Sequence, residues 1–340
     1  MTVSGRAPVA PPRAVAYEAH TSAFGRLAAM GSRAFVKPVI GLWARLPRLP
    51  WPYRLLDQLA VLLPAVRGTV RHRVDLRHCR AEAMAPAGST APVEAGAILY
   101  LHGGAFVVGG IRSHRRLVSR LVRLTGIPSL AVDYRKLPAN PVSAAVEDAM
   151  DGLHYLIDSG IPIESIAVVG DSAGGFLAVT VAVEARRRGL GQVAGVGLFS
   201  PIIDLEPTSK LVAIQADGTA PDPLFPRAAL DALWGLVQRT EADDQACEAL
   251  RSIATAGPEE LGTLPPIHVQ VGSGELLRPD TDRLLAACAA GGGTATVEVF
   301  ANQIHVFQAG ADVIPEARRA LASMAGHIVV TISKAGDKAA

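Results

Sequence analysis

The sequence predicts an α/β protein of three layers, a mostly parallel sheet with helices on both faces. Three observations predict it. Beyond Gly68, short strand-like segments alternate with longer helical ones. Several of the former, such as Ala97 to Leu101 and Ile166 to Val169, are continuous apolar runs, which suits strands buried on both faces. Finally, a chain of 340 residues with 49% hydrophobic and 19% charged residues is long enough to bury such a sheet and carry a cap as well.

Residues 1 to 15 hold three prolines among small residues and read as a disordered arm. Residues 16–66 read as an N-terminal helical cap segment, with Ser22, Ser32 and Pro38 as starts and Leu46-Pro47 and Leu49-Pro50-Trp51-Pro52 as breaks. From Thr21 to Leu63, Arg26, Arg33, Lys37, Arg45, Arg48 and Arg54 stand against the single acid Asp57, with Trp43 and Trp51 nearby. Such a run is a solvated basic face over the core or a peripheral contact with an anionic lipid surface.

The core is expected over residues 67–335. Its strands are Val70 to Leu76, Ala97 to Leu101, Ser129 to Val132, Ile166 to Val169, Val193 to Phe199, Ile267 to Val271 and Thr296 to Phe300. Between them, helices are predicted over Arg115 to Thr125, Ser143 to Ser159, Gly174 to Arg188, Asp280 to Ala290 and Pro315 to Met324. Residues 205–264 break the alternation. Following the strand that ends at Phe199, and rich in proline and acids, they are placed to form a lid.

Composition excludes several classes. The formal charge of +2 is the difference between 33 basic and 31 acidic residues, so no nucleic-acid-binding stripe follows. Cys79, Cys247 and Cys288 are too few and too widely spaced for a disulfide framework or a zinc cluster, which fits a reducing, cytoplasmic setting. Met1 to Arg13 lacks the apolar core of a secretion signal, and the run Leu55 to Val66 is short and broken by Asp57 and Pro64. No cofactor or metal is implied.

The chemistry centres on Gly170-Asp171-Ser172-Ala173-Gly174-Gly175, between a strand and a helix. A serine on so tight a turn needs small residues two before and two after it, which Gly170 and Gly174 supply. At a helix N-terminus, unpaired N–H groups and the helix dipole favour a developing oxyanion. Serine needs a base, and the base needs an orienting carboxylate. In the order serine, acid, histidine, only His305 and His327 among the nine histidines qualify, and His305 lies just past a strand end. Glu275 leaves the strand Ile267 to Val271 in the geometrically expected place. Asp280 and Asp282 are alternatives whose ordinary role is helix capping. Gly103 and Gly104, after the strand ending at Leu101, expose backbone N–H groups that with Ala173 form a candidate oxyanion hole. His102 is read as a brace for that loop.

Taken together, Tyr100-Leu101-His102-Gly103-Gly104-Ala105-Phe106, Asp133-Tyr134-Arg135, Gly170-Asp171-Ser172-Ala173-Gly174-Gly175 and Ser200-Pro201 with Asp204-Leu205 resemble the motifs of the hormone-sensitive-lipase-like branch of α/β-hydrolase esterases, over about residues 70–325. The resemblance implies an α/β-hydrolase fold with a helical cap. It also implies hydrolysis of short- to medium-chain carboxylic esters by Ser172, His305 and Glu275 through an acyl-enzyme. A homodimer through a last strand at His327 to Ile332 is a further implication. Three departures stand out: Ala105 replaces a third glycine, Lys136-Leu137-Pro138-Ala139 replaces Leu-Ala-Pro-Glu, and Glu275-Leu276-Leu277 replaces an aspartate before Pro-Leu. A small-ligand receptor on the same fold, and an amidase or other acyl hydrolase with the same residues, are the alternatives.

Overall fold

The computed structural model describes residues 13–17, 21–53, 57–58, 60, 64–88, 96–218, 221–251 and 256–339. Nine strands make one sheet in the order β1-β9-β8-β7-β6-β4-β5-β3-β2. They are β1 (Arg13–Tyr17), β2 (Thr69–Asp75), β3 (Arg80–Pro86), β4 (Ala97–Leu101), β5 (Ser129–Asp133), β6 (Ile166–Asp171), β7 (Gly195–Phe199), β8 (Ile267–Gly272) and β9 (Ala295–Phe300). Pairing is parallel from β1 through β5 in that order, and β3 joins β5 and β2 in antiparallel fashion.

All residues of β4, β6 and β7 are buried, as their unbroken apolar runs require of strands covered on both faces. Side chains alternate across the sheet. Leu99 and Leu101 join a core formed with α4 (Val142–Asp158), α5 (Ala173–Arg187) and α10 (Arg278–Ala290), while Ile98 and Tyr100 face α3 (Ile111–Thr125) and α11 (Pro315–Ala339). Strand order reverses around β4, which lies between β5 and β6. The carboxyl ends of β4 and β6 therefore meet at a topological switch point, where open α/β sheets open a crevice.

The cap comes from two separate stretches. The first holds α1 (Ala23–Gly31), a π turn (Ser32–Val36) and α2 (Lys37–Arg45). Ser22 caps α1 by accepting from the Gly25 N–H, and Glu316 at the head of α11 accepts from the Ser22 N–H and hydroxyl. The second stretch holds α6 (Thr208–Asp217), α7 (Ala228–Thr240), α8 (Asp244–Arg251) and α9 (Gly257–Leu261). Helix α2 packs on α7, and Lys37 Nζ donates to the Asp222 carbonyl at 2.6 Å, so the two stretches close on each other.

Three expectations differ. Of the disordered arm expected over residues 1–15, the last three residues belong instead to Arg13–Tyr17, which pair in parallel with β9 and so satisfy that edge; residues 1–12 lie outside the described residues. Strand β3 was not anticipated, since its alanines and charges have weak strand propensity and long-range pairing with β2 and β5 creates it. His327 to Ile332 is not a strand but part of α11. Its β-branched residues suit a strand, yet Met324, Ile328 and Ile332 recur every fourth residue and are buried against the sheet, so packing prevails.

Candidate active site

Ser172 is the cap residue of α5, at φ 51° and ψ −116°, in the half-plane that non-glycine residues avoid. The turn is tight enough to need its glycines. A Cβ on Gly170 would lie 2.1 Å from the Gly174 carbonyl oxygen, and one on Gly174 would lie 1.9 Å from the Leu101 carbonyl oxygen.

The chain leaving β7 ties the site together. Ser172 N–H donates to the Phe199 carbonyl at 2.9 Å, and Ile202 N–H donates back to the Ser172 carbonyl at 3.0 Å. Between them, the Ser200 hydroxyl donates to Glu275 Oε1 at 2.8 Å and accepts the Val306 N–H at 3.1 Å. One turn thus contacts the serine's backbone, the acid's side chain and the residue after the histidine. Glu275 Oε1 also accepts the Gly272 N–H at 2.5 Å, and Glu275 Oε2 lies 2.8 Å from His305 Nδ1. Both side chains are buried. Burial alone would lower the His305 pKa, but the hydrogen bond and charge of Glu275, with weaker help from Asp222 and Asp171, raise it above its ordinary value. With Nδ1 bonded to a carboxylate, His305 Nε2 is left as the acceptor, and it has no protein partner among the described residues.

Neither alternative acid is placed like this. Asp280 is fully buried and accepts from the Ile203 and Asp204 N–H groups and from Lys210 Nζ at 2.6 Å, a structural ion pair. Asp282 pairs with Arg278 on the helix surface at 3.0 Å. The alternative base His327 stacks on His268 at 5.2 Å, and burial followed by the charge of His268 pushes its pKa down to about 4.

Next to the serine, Asp171 fastens the glycine loop. It accepts from the Tyr100 hydroxyl at 2.7 Å and the Gly103 N–H at 3.0 Å, with His114 Nε2 at 3.3 Å. Burial favours its neutral form, but His114, Tyr100 and Gly103 outweigh burial and hold the carboxyl below its ordinary pKa. Gly103 is therefore corrected as an oxyanion donor, because its N–H is already spent on Asp171. The N–H groups of Gly104, Ala105 and Ala173 make no hydrogen bond to protein among the described residues. His102 bonds the Gly103 carbonyl through Nδ1 at 2.7 Å and stacks on Tyr134 at 4.2 Å. Burial, then the positive charges of Lys136 and His114, keep it neutral, which suits a brace.

A cavity of about 250 Å³ opens beside the acid, lined by Lys37, Ile214, Phe225, Pro226, Glu275 and Leu276. Phe225 meets the His305 ring edge-on at 4.8 Å. Asp222 holds this wall: its carboxylate accepts from the Leu224, Phe225 and Leu276 N–H groups at 2.6, 3.0 and 2.7 Å. Sequence reasoning missed Asp222 and the bridging role of Ser200, since both act across long sequence separations. Among the described residues no group of side chains is arranged to hold a metal ion.

A strained serine at a helix head, a carboxylate-bound histidine and free N–H groups at a strand switch point define a hydrolase of the α/β-hydrolase class. The family model described as "alpha/beta hydrolase fold" matches residues 98–309. Esterase LipU of Mycobacterium tuberculosis is 37% identical over 308 residues, covering 86% of this chain and 98% of that one. Carboxylesterase/phospholipase LipF of the same organism is 33% identical over 313 residues, covering 89% and 81%. A solved esterase from the bacterial hormone-sensitive lipase family superposes with a TM-score of 0.72 at 29% identity, covering 87% and 97%. The chain belongs to the hormone-sensitive-lipase-like branch of the α/β-hydrolase family, and it is a serine hydrolase.

Proposed function

We propose that this hydrolase is a carboxylesterase in which Ser172 attacks an ester carbonyl and forms an acyl-enzyme. His305 Nε2 takes the serine proton and returns it to the leaving alkoxide. Glu275 fixes the tautomer and stabilises the imidazolium. The N–H groups of Gly104, Ala105 and Ala173 receive the oxyanion, and water then hydrolyses the acyl-enzyme.

The observation that carries this reading is the turn 199–202, whose hydrogen bonds join the Ser172 backbone, the Glu275 carboxylate and the loop of His305. The relatives support ester chemistry. LipU and LipF are named as esterases, and a similar solved esterase, EstE5, was soaked with p-nitrophenyl butyrate. The small cavity by Glu275 and Phe225 suits short to medium acyl chains. A fluorophosphonate is expected to label Ser172 with loss of butyrate-ester turnover, and Ser172→Ala is expected to abolish both. Labelling of a different residue, or turnover surviving in the alanine variant, defeats the assignment.

A further inference from the structure

We propose that the outer surface of α1, the π turn and α2 docks onto an anionic lipid bilayer. The starting observation is where the chain leaves large apolar side chains in water. Phe24, Leu27, Met30, Phe35, Val39 and Leu42 are each between 48% and 75% exposed. Single exposed apolar residues are ordinary, whereas a cluster of this kind marks an interaction surface. These six recur every three or four residues, except for a step of five from Met30 to Phe35 that coincides with the π turn Ser32–Val36. A π turn takes in an extra residue, so the longer step keeps the row on a common side.

The cap's inward contacts are made by other residues. Gly25 and Ser32 are buried, Lys37 reaches the Asp222 carbonyl, and Trp43 donates to the Tyr53 hydroxyl. The apolar row is therefore an outer face.

Charge selects the occupant. Arg26, Arg33, Arg45 and Arg48 are exposed, and none forms an ion pair among the described residues. Between Glu18 and Asp57 the sequence contains no acid at all. A second copy meeting this face by two-fold symmetry would bring unopposed cations together. Anionic headgroups over an apolar interior match both halves of the pattern.

The test is flotation of the full chain with phosphatidylcholine vesicles and with vesicles half phosphatidylglycerol, at low and high salt. Partition into the anionic vesicles at low salt is expected, with release by high salt. Each cation removed should weaken it about fivefold, so Arg26→Ala with Arg33→Ala should cost about twenty-fivefold. Phe35→Ser with Val39→Ser should cost about tenfold or more. Both variants should keep thermal stability and turnover of a soluble butyrate ester. The proposal is overturned if the anionic vesicles do not retain the chain, or if neither variant weakens retention. It is equally overturned if the chain is a dimer in solution that the Phe35 and Val39 changes make monomeric, because a second copy then covers the face.

Discussion

Replacing Glu275 by glutamine isolates one charge at the centre of the site. The amide keeps an oxygen for the Ser200 hydroxyl and the Gly272 N–H, so local packing survives. Toward His305, however, an NH2 group can replace the carboxylate oxygen now 2.8 Å from Nδ1. Nδ1 must then accept, the proton moves to Nε2, and the ring loses the lone pair that would take the serine proton. Misplacing that tautomer in another serine hydrolase costs about 10⁴ in turnover, and about 10³ to 10⁴ is expected here, or roughly 4–5.5 kcal/mol of barrier. The pH profile gives a second readout. His305 must be neutral to act as base, so activity is lost as pH falls through its pKa, which Glu275 holds above the ordinary value despite burial. Without the carboxylate that pKa falls, and the acidic limb of kcat/KM moves to lower pH. Initial rates on p-nitrophenyl butyrate from pH 4 to 9, with circular dichroism to verify folding, measure both effects. Turnover within tenfold of the parent, or an unmoved acidic limb, would refute the role of Glu275.

Ser200→Ala removes the hydroxyl that donates to Glu275 and accepts from Val306, and two lost bonds of about 1 kcal/mol each should lower kcat ten- to fiftyfold with little change in KM. Steady-state kinetics would show it. Asp280→Asn leaves the Lys210 ammonium buried without its counter-charge, which should cost about 3–5 kcal/mol in chemical denaturation while folded protein keeps its pH profile. A shifted profile would return Asp280 to the list of candidate acids. Gly174→Ala puts a Cβ 1.9 Å from the Leu101 carbonyl oxygen, so a folded variant should lose at least a hundredfold in kcat, measured on protein confirmed monodisperse. Normal turnover would show that the elbow relaxes more freely than its packing implies.

The parts of the fold legible in the sequence are those whose signal is local. Ala97–Leu101 reads as a buried strand because its side chains are aliphatic apart from the largely apolar Tyr100, and the elbow reads as an elbow because Gly170 and Gly174 flank Ser172. What was hidden depends on distant partners. Arg80–Pro86 becomes a strand only between β2 and β5, and His327–Ile332 remains helical because its apolar residues have a core to face. At the candidate site, the pairing of Glu275 with His305 could be expected from their order along the chain, but the commitment of Gly103 N–H to Asp171 could not. That bond crosses between two strands, and a glycine-rich loop does not reveal which of its N–H groups remain free. The same holds for Asp222, an acid in a proline-rich stretch whose carboxylate reaches Leu276 across the cavity wall.

The Asp171 contacts make the turn of Ser172 and the glycine loop proposed to hold the oxyanion parts of one rigid body. Because β4 and β6 are adjacent and Asp171 ties the loop after one to the turn after the other, their spacing is set when the sheet folds. The cap helices contribute none of the groups proposed to attack or to hold the oxyanion. The cap can therefore change, and with it the walls of the cavity, without displacing the groups proposed to stabilise the transition state.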